Sequence, residues 1–186
     1  MNKRIIAAVR GNYELEEAVK SNVWMIFMLT PNIEDIKWQT ELVHKAGKKF
    51  FIHIDLAEGI GKDEYGIRFV KDASVDGIIS TRTNIIKMAS KLGVCTVQRF
   101  FIVDSHSVNT SIEAAKQSKA DMIEIMPGTV AKVIKRMKQD LETPIIAGGL
   151  VETQAEIDEA FSCGATAIST GKSDFWNTID IACQEN

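Results

Sequence analysis

No apolar run in this sequence approaches the roughly 18–20 residues that a membrane-spanning helix needs. The opening MNKRIIAAV has neither the long apolar region nor the cleavage site of a secretory signal peptide. A soluble, cytoplasmic chain with no membrane partner is the expectation. Cysteine is scarce: Cys95, Cys163 and Cys183 stand far apart, in no metal or redox spacing. That argues against a disulfide framework and reads as reduced, structural thiols. The three histidines are equally scattered, so no metal site is expected. Net charge is −3, giving the whole molecule little pull on nucleic acid; any such binding needs a local basic patch. A Pro/Gly/Ser linker, a charge block and a low-complexity segment are all missing, so residues 1–186 read as one domain.

What is present is an alternation. Short apolar runs rich in β-branched residues recur, each followed by a stretch of helical period. The strands expected are Arg4–Val9, Val23–Leu29, Lys49–Ile54, Asp76–Ser80, Val94–Phe101, Asp121–Met126, Thr143–Ala147 and Thr166–Thr170. Helical patterns between them include Ile33–Ala46, Thr83–Leu92, Val108–Ser118, Val130–Asp140 and Gln154–Cys163. Gly47, Gly93 and Gly164 follow three of these helices and suit left-handed C-caps. Strand and helix in alternation imply parallel pairing with right-handed crossovers. Eight units close into a (β/α)8 barrel of the TIM type, α/β in class, at about 23 residues per unit. An open doubly wound sheet is the rival. The first βα turn, Val9-Arg10-Gly11-Asn12, lacks the glycine-rich dinucleotide fingerprint such a sheet would carry.

The loops after strands seven and eight carry the sharpest signal. One reads Ala147-Gly148-Gly149-Leu150, the other Ser169-Thr170-Gly171-Lys172. In phosphate-binding barrels these two loops and a short following helix, here near Ser173, form the phosphate cup. Glycines let the backbone approach the anion, and the amides of Gly148, Gly149, Ser169, Thr170 and Gly171 are the candidate donors. The hydroxyls of Ser169 and Thr170 add donors, and Lys172 a charge. Taken alone, the glycine pair reads equally well as a tight turn.

A period of two places His53 and Asp55 on the inward face of strand three, with Ile52 and Ile54 toward the helices. Strand six likewise turns Glu124 inward between Met122 and Met126. Buried carboxylates need partners or a ligand. Asp55 and Glu124 are therefore expected to contact ligand hydroxyls or to act as acid and base, the alternative being carboxylates satisfied by internal neighbours such as Arg99 or His53; His53 itself reads as a hydrogen-bonded interior histidine. Arg99, at the end of strand five, meets either a carboxylate or the ligand phosphate; Arg82 has the same two readings. The Leu56–Lys62 loop, with Gly59 and Gly61, is the candidate segment to fold over a ligand and move with it, a plain surface loop being the commoner reading of such a segment. An inward lysine for a Schiff base, a nucleophile motif and a metal cluster are all missing, so no catalytic residue, metal or cofactor is assigned.

Several blocks of the chain, in order, resemble the glycerol uptake operon antiterminator regulators. They are His53-Ile54-Asp55-Leu56, Gly77-Ile78-Ile79-Ser80-Thr81-Arg82, Gln98-Arg99-Phe100-Phe101, Ile123 to Gly128, Pro144 to Leu150, and Ser169-Thr170 with Phe175-Trp176. The resemblance implies a barrel that senses glycerol 3-phosphate and, once liganded, binds a leader mRNA to prevent premature termination of glycerol-utilisation transcripts. The sequence departs from the family pattern at Gly171, where a serine is usual; the backbone cup is kept and one hydroxyl contact is lost. For RNA, the residues themselves offer Lys132, Lys135 and Arg136, spaced i, i+3, i+4 beside Lys138, a pattern that a plain solvated helix face also shows. The alternative class is an enzyme acting on a small phosphorylated polyol, an isomerase or a prenyltransferase of glycerol phosphate. A homo-oligomer is left open.

Overall fold

The computed structural model describes residues 4–177. Cys183, read above as a structural thiol, lies outside the described residues. The elements run β1 (Arg4–Val9), α1 (Asn12–Lys20), β2 (Met25–Met28), α2 (Ile36–Lys45), β3 (Lys49–His53), α3 (Glu64–Asp72), β4 (Gly77–Ser80) and α4 (Thr83–Lys91). They continue as β5 (Cys95–Phe101), α5 (Ser105–Ser118), β6 (Met122–Met126), α6 (Ala131–Asp140), β7 (Ile145–Gly148), α7 (Gln154–Ser162) and β8 (Ala167–Thr170). All eight strands are parallel and pair in chain order, and β1 returns to β8 through Arg4↔Ala167 to Ala7↔Thr170. The barrel is closed, so the open doubly wound sheet is set aside.

Strands buried on both faces read as unbroken apolar runs, and β2 and β7 are buried at every position. Each strand sends alternate residues to two different cores. The outward set, Ile26, Ile52, Ile54, Ile78, Ile125 and Ile168 among them, packs under the helices. The inward set, Ile6, Met25, Phe27, Phe51, Ile79, Val97, Ile146 and Ala167, fills the barrel with a separate plug. Within it the rings of Phe27 and Phe51 lie 5.8 Å apart, tilted by 44°.

Register is held at the base by a repeated device. Asp76, just before β4, accepts from the Phe50 amide (2.9 Å) and from Lys49 (2.7 Å) and is bonded to His44 (2.8 Å). Asp121, just before β6, accepts from the amide and hydroxyl of Thr96, both at 2.8 Å. Gly47, Gly93 and Gly164 follow α2, α4 and α7 with φ of 71°, 73° and 105°, the left-handed conformation their positions predict.

Most boundaries shift by one or two residues from the sequence reading, and three of the shifts have a clear local reason. Helix α5 starts at Ser105 rather than Val108, because Asp104 and Ser107 form a reciprocal capping box. Helix α2 starts at Ile36, since Ile33 is held by its amide on the Glu58 carbonyl at 3.0 Å. Strand β3 stops at His53, and Ile54–Leu56 turns as a 3-10 helix.

Gly77 shows how tightly the plug is filled. A methyl group there would run into the Phe51 ring and the Cys95 carbonyl oxygen. Gly77→Ala is expected to destabilise the barrel by about 1–3 kcal/mol through overpacking. Urea unfolding checks it, and an unchanged midpoint would show that the plug has slack.

Candidate functional site

Two residues beyond the plug, the inward pattern changes character in five strands, β3, β5, β6, β7 and β8. Phe51 is followed by His53, Val97 by Arg99, Met122 by Glu124, Ile146 by Gly148 and Ala167 by Ser169. The apolar plug is therefore roofed by a polar layer at the C-terminal end of the strands, where barrels of this kind place their sites. Above it opens a cavity of about 280 Å³, lined by Ala8, Arg10, Leu29, Arg99, Glu124, Met126, Gly149 to Glu152 and Ser169 to Lys172.

The centre of the layer is an ion pair. Arg99 Nε donates to Glu124 Oε2 at 2.6 Å, with both side chains almost wholly buried. The second carboxylate oxygen, Oε1, has no hydrogen-bond partner, and four of the five guanidinium N–H donors are left for other acceptors. Gly148 makes room for this carboxylate, since a methyl group there would collide with it. The next residue, Gly149, turns with φ 73°, its α-carbon beside Met126. Of the expected cup residues, Gly149, Ser169, Thr170 and Gly171 line the cavity together with Lys172; Gly148 lies beneath, against Glu124.

Their hydroxyls differ. Ser169 is a buried residue that lines the cavity, and its hydroxyl makes no hydrogen bond with another described residue. That of Thr170 is engaged: it donates to the Val151 carbonyl (3.3 Å) and accepts from the Lys172 amide (3.1 Å). Thr170 thus ties the two loops of the cup together. Its own carbonyl accepts from the indole of Trp176 at 2.9 Å, just after a 3-10 turn at Ser173–Phe175.

Asp55 does not share the face of His53. Because β3 ends at His53, the alternation expected to carry Asp55 inward stops one residue earlier. Its carboxylate accepts instead from Ser80 Oγ (2.7 Å), the Thr81 amide (2.8 Å) and Thr81 Oγ1 (2.9 Å), with Arg82 Nε 3.9 Å away. Asp55 is absent from the cavity wall; it fixes the turn from β4 to α4. The Leu56–Lys62 loop is bridged to the segment after β2. Its Glu58 pairs with Asn32, the Glu58 amide donates to the Pro31 carbonyl at 2.9 Å, and Lys62 Nζ holds the carbonyls of Ala57 and Ile60.

His53 is 3% exposed and its Nδ1 has no partner, so the expectation of a hydrogen-bonded interior histidine fails at that atom. Burial, with the Arg99 charge acting in the same sense against a weaker opposing pull from Asp55, lowers its pKa from 6.5 to about 4. It is a neutral ring at neutral pH. Arg10 was missed from the sequence although it lines the cavity; its position directly after β1, beside the β8 loop, was the available signal. Lys132, Lys135 and Arg136 all lie exposed on α6, outside the cavity, with Arg136 paired to Asp140 at 2.9 Å. Among the described residues no helix is long and apolar enough to cross a membrane, and no group of metal-ligating side chains gathers.

The profile of a family described as glycerol-3-phosphate responsive antiterminator matches residues 5–176. Uncharacterized protein YgcP of Escherichia coli (strain K12) is 38% identical over 173 residues, which span 92% of this chain and 91% of that protein. The crystal structure of the glycerol uptake operon antiterminator regulatory protein from Listeria monocytogenes (strain 4b F2365) superposes with a TM-score of 0.90 at 31% identity, covering 96% of this chain and 97% of that one. A glycerol uptake operon antiterminator-related protein from Thermotoga maritima MSB8 superposes at 0.84 with 34% identity, over 95% and 99% of the two chains.

The neutral His53 makes stability depend on pH. Its native pKa of about 4 lies below the unfolded value of 6.5, so between them the unfolded chain binds the extra proton. The stability it allows is complete above about pH 6.5 and is lost as the solution is acidified toward pH 4, by up to about 1.4 kcal/mol per pH unit. Replacing His53 by Gln should flatten the slope between about pH 6.5 and 5 in urea unfolding. Identical slopes for the two proteins would remove His53 from the account.

Proposed function

The chain belongs to the family of glycerol-3-phosphate responsive antiterminators, and from that premise we propose that it senses glycerol 3-phosphate at the barrel mouth and, once liganded, binds the leader mRNA of glycerol-utilisation genes. The observation that carries the ligand half is the pairing of two unlike features in one small cavity. On one side stand glycine backbone, the unpartnered Ser169 hydroxyl and two cations, Arg10 and Lys172. On the other is a buried carboxylate with one oxygen unpaired beside a guanidinium with donors to spare. The first suits a phosphate, because amides, a hydroxyl and charge can all converge on its oxygens. The second suits hydroxyls, which donate to Glu124 and accept from Arg99.

In this reading Gly149, Ser169 and Gly171 take the phosphate, with Lys172 and Arg10 supplying charge. Thr170 holds the two loops in place, and Gly148 keeps the space that Glu124 needs. Asp55, without a place in the cavity wall, contributes by fixing the β4–α4 turn. The role is regulatory: the bound molecule is read, not converted.

Thermal unfolding with glycerol 3-phosphate, glycerol and inorganic phosphate in parallel tests this. A ligand at about 100 times its dissociation constant adds roughly 2.7 kcal/mol. Glycerol 3-phosphate should raise the melting temperature well beyond the other two, and Glu124→Gln should reduce that rise. Equal shifts with phosphate would leave only an anion cup, and no shift with any of the three would sink the sensor. Sustained turnover of the ester would make the protein an enzyme instead.

A further inference from the structure

A second concavity lies outside the barrel mouth. It is a groove of about 740 Å³ between the N-terminal halves of α5 and α6. Its floor is aliphatic: Ile102, Val108 and Val130 are only partly covered by the core beneath them. On its rim stand Val103, 83% exposed, and two cations of α6, Lys132 and Arg136. Helix α6 carries Lys132, Lys135, Arg136 and Lys138 against the single acid Asp140, a concentration of positive charge in a chain of net charge −3.

We infer that this groove is where the RNA of the proposed function lies, as a single strand with bases against the aliphatic floor and phosphates on Lys132 and Arg136; the inference rests on that functional reading. Single-stranded RNA offers unstacked bases with an apolar face next to a charged backbone. The groove offers the complementary order, apolar floor inside cationic rim. The one acid among the lining residues, Asp104, keeps its charge while capping α5 by accepting from the Ser107 amide at 2.7 Å, so the lining holds two cations against one anion. Arg136 is held only by an exposed pair with Asp140, which costs little to exchange for a phosphate. A second copy of the chain fits less well, because a two-fold contact across this groove would bring two cationic rims together.

The groove is also joined to the ligand site. Its walls are the segments that follow β5 and β6, the strands bearing Arg99 and Glu124. The Ile102 amide donates to the Met126 carbonyl at 2.8 Å, linking the two walls. The Gly128 amide donates to the Gly149 carbonyl at 2.9 Å, linking the second wall to the phosphate cup. A ligand seated on Gly149 and Arg99 therefore acts on residues continuous with both sides of the groove, which is the route by which it biases RNA binding.

The test uses an RNA selected from a random-sequence pool on the full-length protein with glycerol 3-phosphate present. Affinity is read by fluorescence anisotropy across a salt series. The double variant Lys132→Ala/Arg136→Ala should lower the slope of log affinity against log salt by about 1.4, at about 0.7 per lost phosphate contact. Val103→Asp, at an exposed position, should weaken binding further by placing a negative charge on the rim. Both variants should keep the full melting-temperature rise with glycerol 3-phosphate, which shows that fold and ligand site are intact. Unchanged affinity and salt slope in both variants would overturn the location while leaving the function standing. Failure to enrich any RNA on the wild type would overturn both. A wild-type dimer that dissociates on Val103→Asp with RNA binding unaltered would make the groove a contact between copies and overturn the inference.

Discussion

A guanidinium and a carboxylate 2.6 Å apart, inside a barrel and almost wholly shielded from water, set the terms for everything around them. Neither ion could stay at that depth alone: breaking such a pair by removing one partner typically costs about 3–5 kcal/mol. The neighbours reflect that constraint. Position 148 is glycine because any side chain would strike Glu124. His53 remains uncharged, since burial and the Arg99 charge both oppose its protonation. Two charges are easier to keep buried when the site expects company, and the unpaired Glu124 oxygen with the unused Arg99 donors is such an unfinished arrangement.

Below the pair lies an apolar plug and above it an open mouth, and in β3, β5, β6 and β8 a change from apolar to polar residue marks the boundary. That boundary was legible in the sequence. Alternation of period two, read through Phe51–His53 and Met122–Glu124, places the polar residues on the same face as the plug, and in those strands the alternation persists to the layer concerned. It misleads at Asp55. The peptide after His53 leaves the strand for a 3-10 turn, and a periodic argument has no means of knowing where its period ends. The same limit hid the start of α5, which is set by side-chain capping at Asp104 and not by apolar spacing. The bridging of the Leu56–Lys62 loop to Asn32 and Pro31 was equally hidden, a contact between segments far enough apart in sequence that local reading is blind to it.

The division of labour inside the cup was also out of reach of the sequence. Ser169 and Thr170 are adjacent hydroxyl residues, yet alternation sends one into the barrel and the other away from it. The inward one is left with a free hydroxyl. The outward one is consumed in joining the β7 and β8 loops. The expected strand ended at Thr170, as β8 does, so the alternation itself was readable; what the sequence did not hold is that the Thr170 hydroxyl meets the Val151 carbonyl and the Lys172 amide.

The indole of Trp176 ends this chain of contacts. It is buried, and its N–H rests on the carbonyl of Thr170, the residue whose hydroxyl spans the two cup loops. An indole's emission responds to the polarity and hydrogen bonding at its ring nitrogen. A shift of the Thr170 carbonyl therefore changes the surroundings of Trp176, one of the chain's three tryptophans and a residue outside the cavity wall. The indole is thus placed where it senses the backbone that joins the two cup loops.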